Sequence, residues 1–138
     1  MAIKRTYRDL HEHLDTLQAQ GLLHVIDKPV NKDTEMHPLV RWQYRGGIRE
    51  RDRKAFLFTN VTDSRGRHYD IPVVIGALAA NADVYRIGMD CPLDEVGQKW
   101  QQAINNPVDP VQVDTAPCQE VVLTGADLQG PGNGLDAL

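Results

Sequence analysis

The chain has 138 residues, of which 41% are hydrophobic and 25% charged, as in an ordinary globular domain. This length corresponds to one compact domain with its own core. The apolar runs, such as residues 73–75, span only a few residues. A membrane helix needs about 20, so the sequence predicts no membrane segment. Because no apolar signal segment follows Met1, we expect a cytoplasmic protein.

Charge is distributed unevenly along the chain. Residues 1–69 contain 13 Lys or Arg and 9 Asp or Glu, whereas residues 70–138 contain 2 and 10. The net charge of −4 argues against nucleic-acid binding, which depends on positive charge to neutralise phosphates. The basic half of the chain could still carry a local patch for an acidic partner.

The first predicted element is a helix over residues 7–20. Thr6, followed three residues later by an acid, predicts its N-cap. Gly21 predicts its end, because glycine readily adopts the left-handed conformation there. Spacings of three and four residues place four apolar side chains on one helical face, which we expect to pack on a sheet. These are Tyr7, Leu10, Leu14 and Leu17.

Short apolar segments predict strands over residues 22–26, 55–59 and 71–75, and two late strands over residues 111–113 and 120–123. A turn-rich connection joins the second and third of these strands. We therefore expect the second and third strands to form an antiparallel pair.

Further helices are predicted over residues 35–45, 79–87 and 92–104. Pro92 suits a first helical position, and Pro107 lies just beyond the end of the last helix. The order of elements predicts a mixed α/β fold, in which a small mixed sheet is flanked by helices.

The sequence contains no motif for metal binding, phosphate binding or nucleophilic catalysis. Cys91 and Cys118 form no CxxC pair, and we expect two reduced thiols. His11 and His13 point about 200° apart on a helix, so one metal ion cannot bind both. The phosphate loops, the GxSxG elbow and the HExxH helix are all absent. The residues therefore predict no catalytic, cofactor-binding or metal-ligating site in this chain.

The remaining histidines also predict no metal site. We expect His24, in a strand, to be a core or edge histidine, and His68, in a turn, to be solvated. Glu35 and His37 are close in sequence, but no third ligand is evident.

The most basic part of the chain, residues 45–54, is called here the basic segment. Its five cations alternate with Glu50 and Asp52, which is typical of a solvated loop. The alternative is a loop that binds an anion or contacts a subunit, framed by Trp42 and Tyr44. The five cations are Arg45, Arg49, Arg51, Arg53 and Lys54.

Several segments resemble, in the same order, the UbiD family of decarboxylases. The stretch from Asp9 to Val30 is similar to the opening helix and strand of the family. The most specific segment is Ala116–Leu128, APCQEVVLTGADL, which is similar to APCQEVVLTGDDVDL at the end of the family's first domain. Further matches are residues 55–61, 71–74, 91–100 and 106–108.

The resemblance implies an enzyme that decarboxylates aromatic or α,β-unsaturated acids non-oxidatively, with prenylated FMN and a divalent metal (Mn) as cofactors. The family's catalytic arginine and glutamates, and its metal and flavin ligands, match no position of this chain. We expect residues 1–117 to form the N-terminal α/β domain. Residues 118–138 are expected to form the first strand and a glycine-rich lead into a flavin-binding split barrel that this sequence does not contain. The chain alone is therefore expected to hold no cofactor, and whether it is itself an enzyme stays open.

Three functions remain open. The first is the N-terminal domain of a UbiD-like decarboxylase, whose partner is the rest of that chain and which forms a homo-oligomer when full length. An aromatic acid substrate would then be bound only by the full enzyme. The second is a catalytically silent companion subunit, and the third is a stand-alone module that binds an acidic partner through the basic segment. We expect residues 126–138 to be mobile and residues 118–124 to associate with a partner, because an edge strand lacking its neighbours leaves its backbone groups unpaired.

Overall fold

A computed structural model describes residues 7–130 of the chain. Within these residues, four α-helices and six short strands confirm the mixed α/β fold. The helices are α1 (Leu10–Ala19), α2 (Met36–Arg45), α3 (Ala82–Met89) and α4 (Val96–Asn105). The strands are β1 (Leu23–Ile26), β2 (Val30–Asn31), β3 (Ala55–Phe58), β4 (Val61–Thr62), β5 (His68–Tyr69) and β6 (Val73–Ile75). None of the described helices is long and apolar enough to cross a bilayer.

The strands form two mixed sheets of three strands each. In the first, β3 lies between β1, which is parallel to it, and β6, which is antiparallel. In the second, β4 lies between the parallel β2 and the antiparallel β5. The antiparallel pairing expected between residues 55–59 and 71–75 is therefore confirmed.

Successive residues of β3 point to opposite faces of its sheet, and each face has its own core. Ala55 packs with α1 and α3, through residues such as Leu17 and Val84, neither of which is exposed to solvent. Phe56 and Phe58 pack instead with apolar residues of α2. Because helices cover both faces, β3 is apolar at every position, AFLF.

Helix α1 starts later than the sequence predicts. Its N-cap is Asp9, whose carboxylate accepts a hydrogen bond from the Glu12 amide at 3.0 Å. The predicted cap, Thr6, lies outside the described residues. Leu10 consequently occupies the exposed first turn and is not part of the core, contrary to expectation. Gly21 does end the helical region, with a φ of 69°.

The two late strands predicted from the sequence are wrong. The chain divides into two compact units at Asn105/Asn106, and within residues 106–130 the structure contains no strand. Residues 111–113 and 120–123 are irregular and exposed, because a strand forms only where a neighbouring strand satisfies its backbone. The segment contains two short 3₁₀ turns, Pro117–Gln119 and Gly125–Gln129. The expected mobility of residues 126–138 falls partly outside the described residues and stays a prediction.

The helix predicted over residues 92–104 starts as a 3₁₀ turn, Leu93–Glu95, and continues as α4. The helix predicted over residues 79–87 is α3, shifted toward the C-terminus. Asn81 sets its start, because its side-chain oxygen accepts a hydrogen bond from the Val84 amide at 2.7 Å.

Candidate functional site

The basic segment is tied to α2 by one buried side chain. Gln43 donates from Nε2 to the carbonyl of Lys54 and accepts from the Lys54 amide, both at 2.8 Å. The side-chain amide thereby pairs with the backbone as a neighbouring strand would. This pair of bonds fixes the point at which the basic segment enters β3. Gln43 follows Met36 and Val40 at spacings of seven and three residues, on the buried face of α2, but no sequence pattern indicated its bonds to Lys54.

Both acids of the basic segment are engaged within the domain. Asp52 pairs with Arg49 at 2.7 Å, and the Glu50 carboxylate accepts from the Ala82 amide at the start of α3. Arg53 lies over the Tyr44 ring at 5.3 Å, so Tyr44 does frame the segment as the sequence suggested. The described residues contain no carboxylate paired with the three remaining cations, Arg45, Arg51 and Lys54. The segment therefore keeps an unbalanced positive charge.

A shallow apolar groove of about 350 Å³ lies between β1 and α2 and adjoins the basic segment. Trp42 is 63% exposed at this groove, and the neighbouring Val25 and Leu39 are exposed as well. The lining contains no acid. It consists of His24, Val25, Ile26, Leu39, Trp42, Gln43, Ile48 and Phe56.

His24 is the titratable group of this groove. Its ring is tilted against that of Phe56, with 5.7 Å between the centroids. Partial burial, and secondly the nearby charge of Lys54, lower the pKa of the imidazole. His24 is thus mainly neutral near pH 7 and adds little charge to the groove. It lies in the edge strand β1, so the expectation of an edge histidine is confirmed.

His13 is the most buried histidine among the described residues, at 1% exposure. Its Nε2 donates to the Ala77 carbonyl at 2.7 Å, and its Nδ1 has no partner within residues 7–130. His11, two positions away, is exposed, as the helical geometry predicts. The position of His13, three residues after Leu10 and four before Leu17, is a sequence signal of burial on the same helical face.

The other candidate residues make structural contacts. Glu35 accepts from the Asn31 amide at 2.8 Å and so closes a turn. Cys91 is half-buried in a cleft of about 640 Å³ between α1 and α3, and Cys118 is exposed; both are free thiols. Across residues 7–130, no group of three or more His, Cys, Asp or Glu side chains could hold a metal ion.

Within residues 7–105, helix α4 keeps an apolar face that is largely exposed. It buries none of its residues, and Trp100 and Ile104 are 50% and 68% exposed. One bond from the Trp100 indole to the Tyr85 hydroxyl, at 3.0 Å, links it to α3. Lys99 adds hydrogen bonds to the carbonyls of Met89 and Asp90. Its exposed apolar face is typical of a contact surface.

These features define a mixed α/β domain with exposed apolar side chains at the groove and on α4. Comparison with known families identifies it: residues 14–104 match the 3-octaprenyl-4-hydroxybenzoate carboxy-lyase N-terminal domain. The match covers well over half of the chain, and the chain belongs to this UbiD N-terminal family. No solved structure matches it.

Proposed function

We propose that this chain is the N-terminal domain of a UbiD-like decarboxylase that acts non-oxidatively on an aromatic or α,β-unsaturated carboxylic acid. The observation that supports the proposal is the match of residues 14–104 to the carboxy-lyase N-terminal domain. Prenylated FMN and a divalent metal (Mn) would be bound by the rest of the enzyme, and the flavin would supply the electron sink for loss of CO₂. Residues 7–130 contain no cluster of three or more metal-ligating side chains, and the proposal assigns them no step of the reaction.

The role that we assign to this domain is packing against the rest of the enzyme through α4. The family match ends at residue 104, in the last turn of α4, and names an N-terminal domain, to which further domains belong. The apolar face of α4, with Trp100 and Ile104 exposed, is the surface such a neighbour would cover. Covering these side chains would stabilise the assembly through burial of apolar area. A cytoplasmic location and a full-length homo-oligomer are part of the same proposal.

The proposal is tested on the protein purified from its native source. We expect an intact mass much larger than the 15.5 kDa of this chain, and CO₂ release from aromatic or α,β-unsaturated acids once prenylated FMN is bound. A native mass of 15.5 kDa, with CO₂ release only after a second polypeptide is added, would favour the companion subunit. The same mass with no carboxylic acid consumed under any condition would contradict the decarboxylase proposal.

A further inference from the structure

Strand β1 has an open edge. The amides of Ala55 and Thr59, in and just after β3, donate to the carbonyls of Leu22 and Ile26, at 2.9 and 3.0 Å. The backbone N–H and C=O groups of Leu22, His24 and Ile26 therefore point toward β3. Those of Leu23 and Val25 point away from β3. Among residues 7–130, no second strand pairs with β1. An edge of this kind is a template for another extended segment.

The apolar groove lies beside this open edge. His24, Val25 and Ile26 of β1 contribute to the groove, and Trp42 of α2 forms its opposite side. An extended segment that pairs with β1 presents every second side chain to one side. Bulky apolar side chains at those positions would enter the groove and contact the exposed indole of Trp42.

The charge around the groove defines the chemistry of the occupant. Ile48 of the basic segment lines the groove, and Lys54 lies close enough to His24 to lower its pKa. Within the described residues, Arg45, Arg51 and Lys54 have no carboxylate partner. The groove itself contains no acid. An acidic occupant complements this surface, whereas a basic one would be repelled.

We propose that the edge of β1, the groove and the basic segment together form a docking site for an extended acidic polypeptide segment with bulky apolar side chains at alternate positions. The backbone of the segment pairs with Leu23 and Val25, its apolar side chains enter the groove at Trp42, and its acids face Lys54, the cation nearest to His24. This mode of recognition, the addition of a strand to a sheet edge, takes affinity from the backbone and specificity from side-chain pockets.

A polypeptide fits these observations better than a small aromatic acid or a nucleic acid. Several unbalanced cations spread over residues 45–54 exceed what a single carboxylate requires. A nucleic acid would use the cations but not the strand edge, and the net charge of −4 disfavours it. The open backbone of β1 is matched only by another backbone.

The experiment measures binding of a fluorescein-labelled probe peptide to the 138-residue chain by fluorescence polarisation. The probe is an extended peptide of roughly eight residues that alternates Glu with Leu or Phe. We expect saturable binding that weakens when salt is raised from about 0.1 M to about 0.5 M. N-methylation of alternate peptide amides, which removes strand pairing, is expected to weaken binding about tenfold.

Variants of the protein locate the site. Trp42→Ser is expected to weaken binding at least about tenfold, because exposed aromatic anchors dominate such interfaces. Trp100→Ser is the matched control, since Trp100 is a similarly exposed indole on α4, outside the groove. It is expected to leave the affinity unchanged. Thermal melts of both variants show whether each is folded.

Four results would overturn the proposal. They are no saturable binding of the probe, equal binding of the N-methylated probe, equal loss of affinity in the Trp42 and Trp100 variants, and equal binding of a peptide with Gln in place of Glu. Binding of benzoate or of single-stranded DNA at the same site, without binding of the peptide, would replace it with a small-anion or nucleic-acid site. None of these readouts depends on decarboxylase activity, so the two proposals fail independently.

Discussion

Helices α1 and α4 are both ten residues long and amphipathic, yet they are covered to very different extents. Helix α1 buries His13, Leu14 and Leu17 against the sheet and α3, whereas α4 buries none of its residues. Both sequences place apolar side chains three or four residues apart, on one helical face. The periodicity of apolar residues therefore indicates which face of a helix is buried in the complete protein. It does not indicate which other element packs against that face.

The neighbours along the chain explain the difference. Helix α1 is followed directly by β1, and the short connection through Gly21 returns the chain onto the same core. Helix α4 is followed by residues 106–130, which form a separate compact unit without a strand or a buried side chain. If the rest of a decarboxylase covers α4, apolar-to-Ala substitutions in α1 will destabilise this chain far more than those in α4. In the full enzyme, the two losses of stability will be similar.

The largest expected difference in stability is between a substitution in α1 and one in α4. Leu17, which is not exposed, fills the core beneath α1, so Leu17→Ala is expected to destabilise the chain by about 2–5 kcal/mol. Ile104→Ala on α4 is expected to change the stability by less than about 0.5 kcal/mol, because the side chain is already in solvent. Chemical denaturation of both variants measures the difference. Equal losses would show that α4 is packed after all.

A smaller effect is expected where α2 holds the basic segment. Gln43→Ala removes two hydrogen bonds and leaves the Lys54 amide and carbonyl without their partner, which costs about 1–3 kcal/mol. Gln98→Ala, at an exposed position of α4, is the control and is expected to be neutral. Urea midpoints compare the two variants. An unchanged midpoint for Gln43→Ala would contradict the proposed role of this side chain.

The cap of α3 is expected to contribute less. Asn81→Ala removes the acceptor for the Val84 amide and is expected to cost about 1 kcal/mol. Asn81→Asp keeps that acceptor but loses the donor to the Arg53 carbonyl, so we expect it to recover part of the loss. Thermal melts rank the three proteins. If the Asp variant is no more stable than the Ala variant, the cap is not what stabilises α3.

The smallest expected effect is a pH dependence at the surface. The side-chain hydrogen bond from Lys32, followed by the Ser64 amide, lowers the pKa of Asp33 from its usual 3.8 to about 2. Because the pKa is lower in the folded state, the stabilising contribution is complete above about pH 4 and is lost as the pH falls through the folded value. Asp33→Asn is expected to flatten the fall in melting temperature over this range. If the melting temperature of Asp33→Asn falls with pH as that of the unsubstituted chain does, the Asp33 carboxylate does not contribute to stability in this way.

The sequence predicted the parts of the fold that local patterns determine. Helix α2 and strands β1 and β3 lie within one or two residues of their predicted ends. Gly21 and Pro29 mark the limits of β1, and Gly46 marks the end of α2. The two-residue strands β2, β4 and β5 were missed, since such strands exist only through tertiary pairing. The late strands were predicted from the β-branched residues of 111–113 and 120–123, but within residues 7–130 these segments pair with no other strand.

The candidate site was less predictable than the fold. The sequence pointed to the basic segment with Trp42 and Tyr44, and the structure shows Tyr44 stacked by Arg53 and Trp42 exposed at a groove. The spacing of Gln43 from Met36 and Val40 places it on the buried face of α2, but that spacing does not indicate that Lys54 is its partner. The open edge of β1 could not be predicted either, since it depends on the order of the strands in the sheet.

Hydrogen exchange of α4, measured in the 138-residue chain and in the native protein, tests whether this helix packs against the rest of a decarboxylase. We expect the amides of Val96–Asn105 to exchange quickly in this chain and at least about tenfold more slowly in the native protein, where the rest of the enzyme would cover Trp100 and Ile104. The amides of α1 are expected to be protected in both. Equally fast exchange of α4 in both proteins would contradict the claim that this helix is the contact surface of an N-terminal decarboxylase domain.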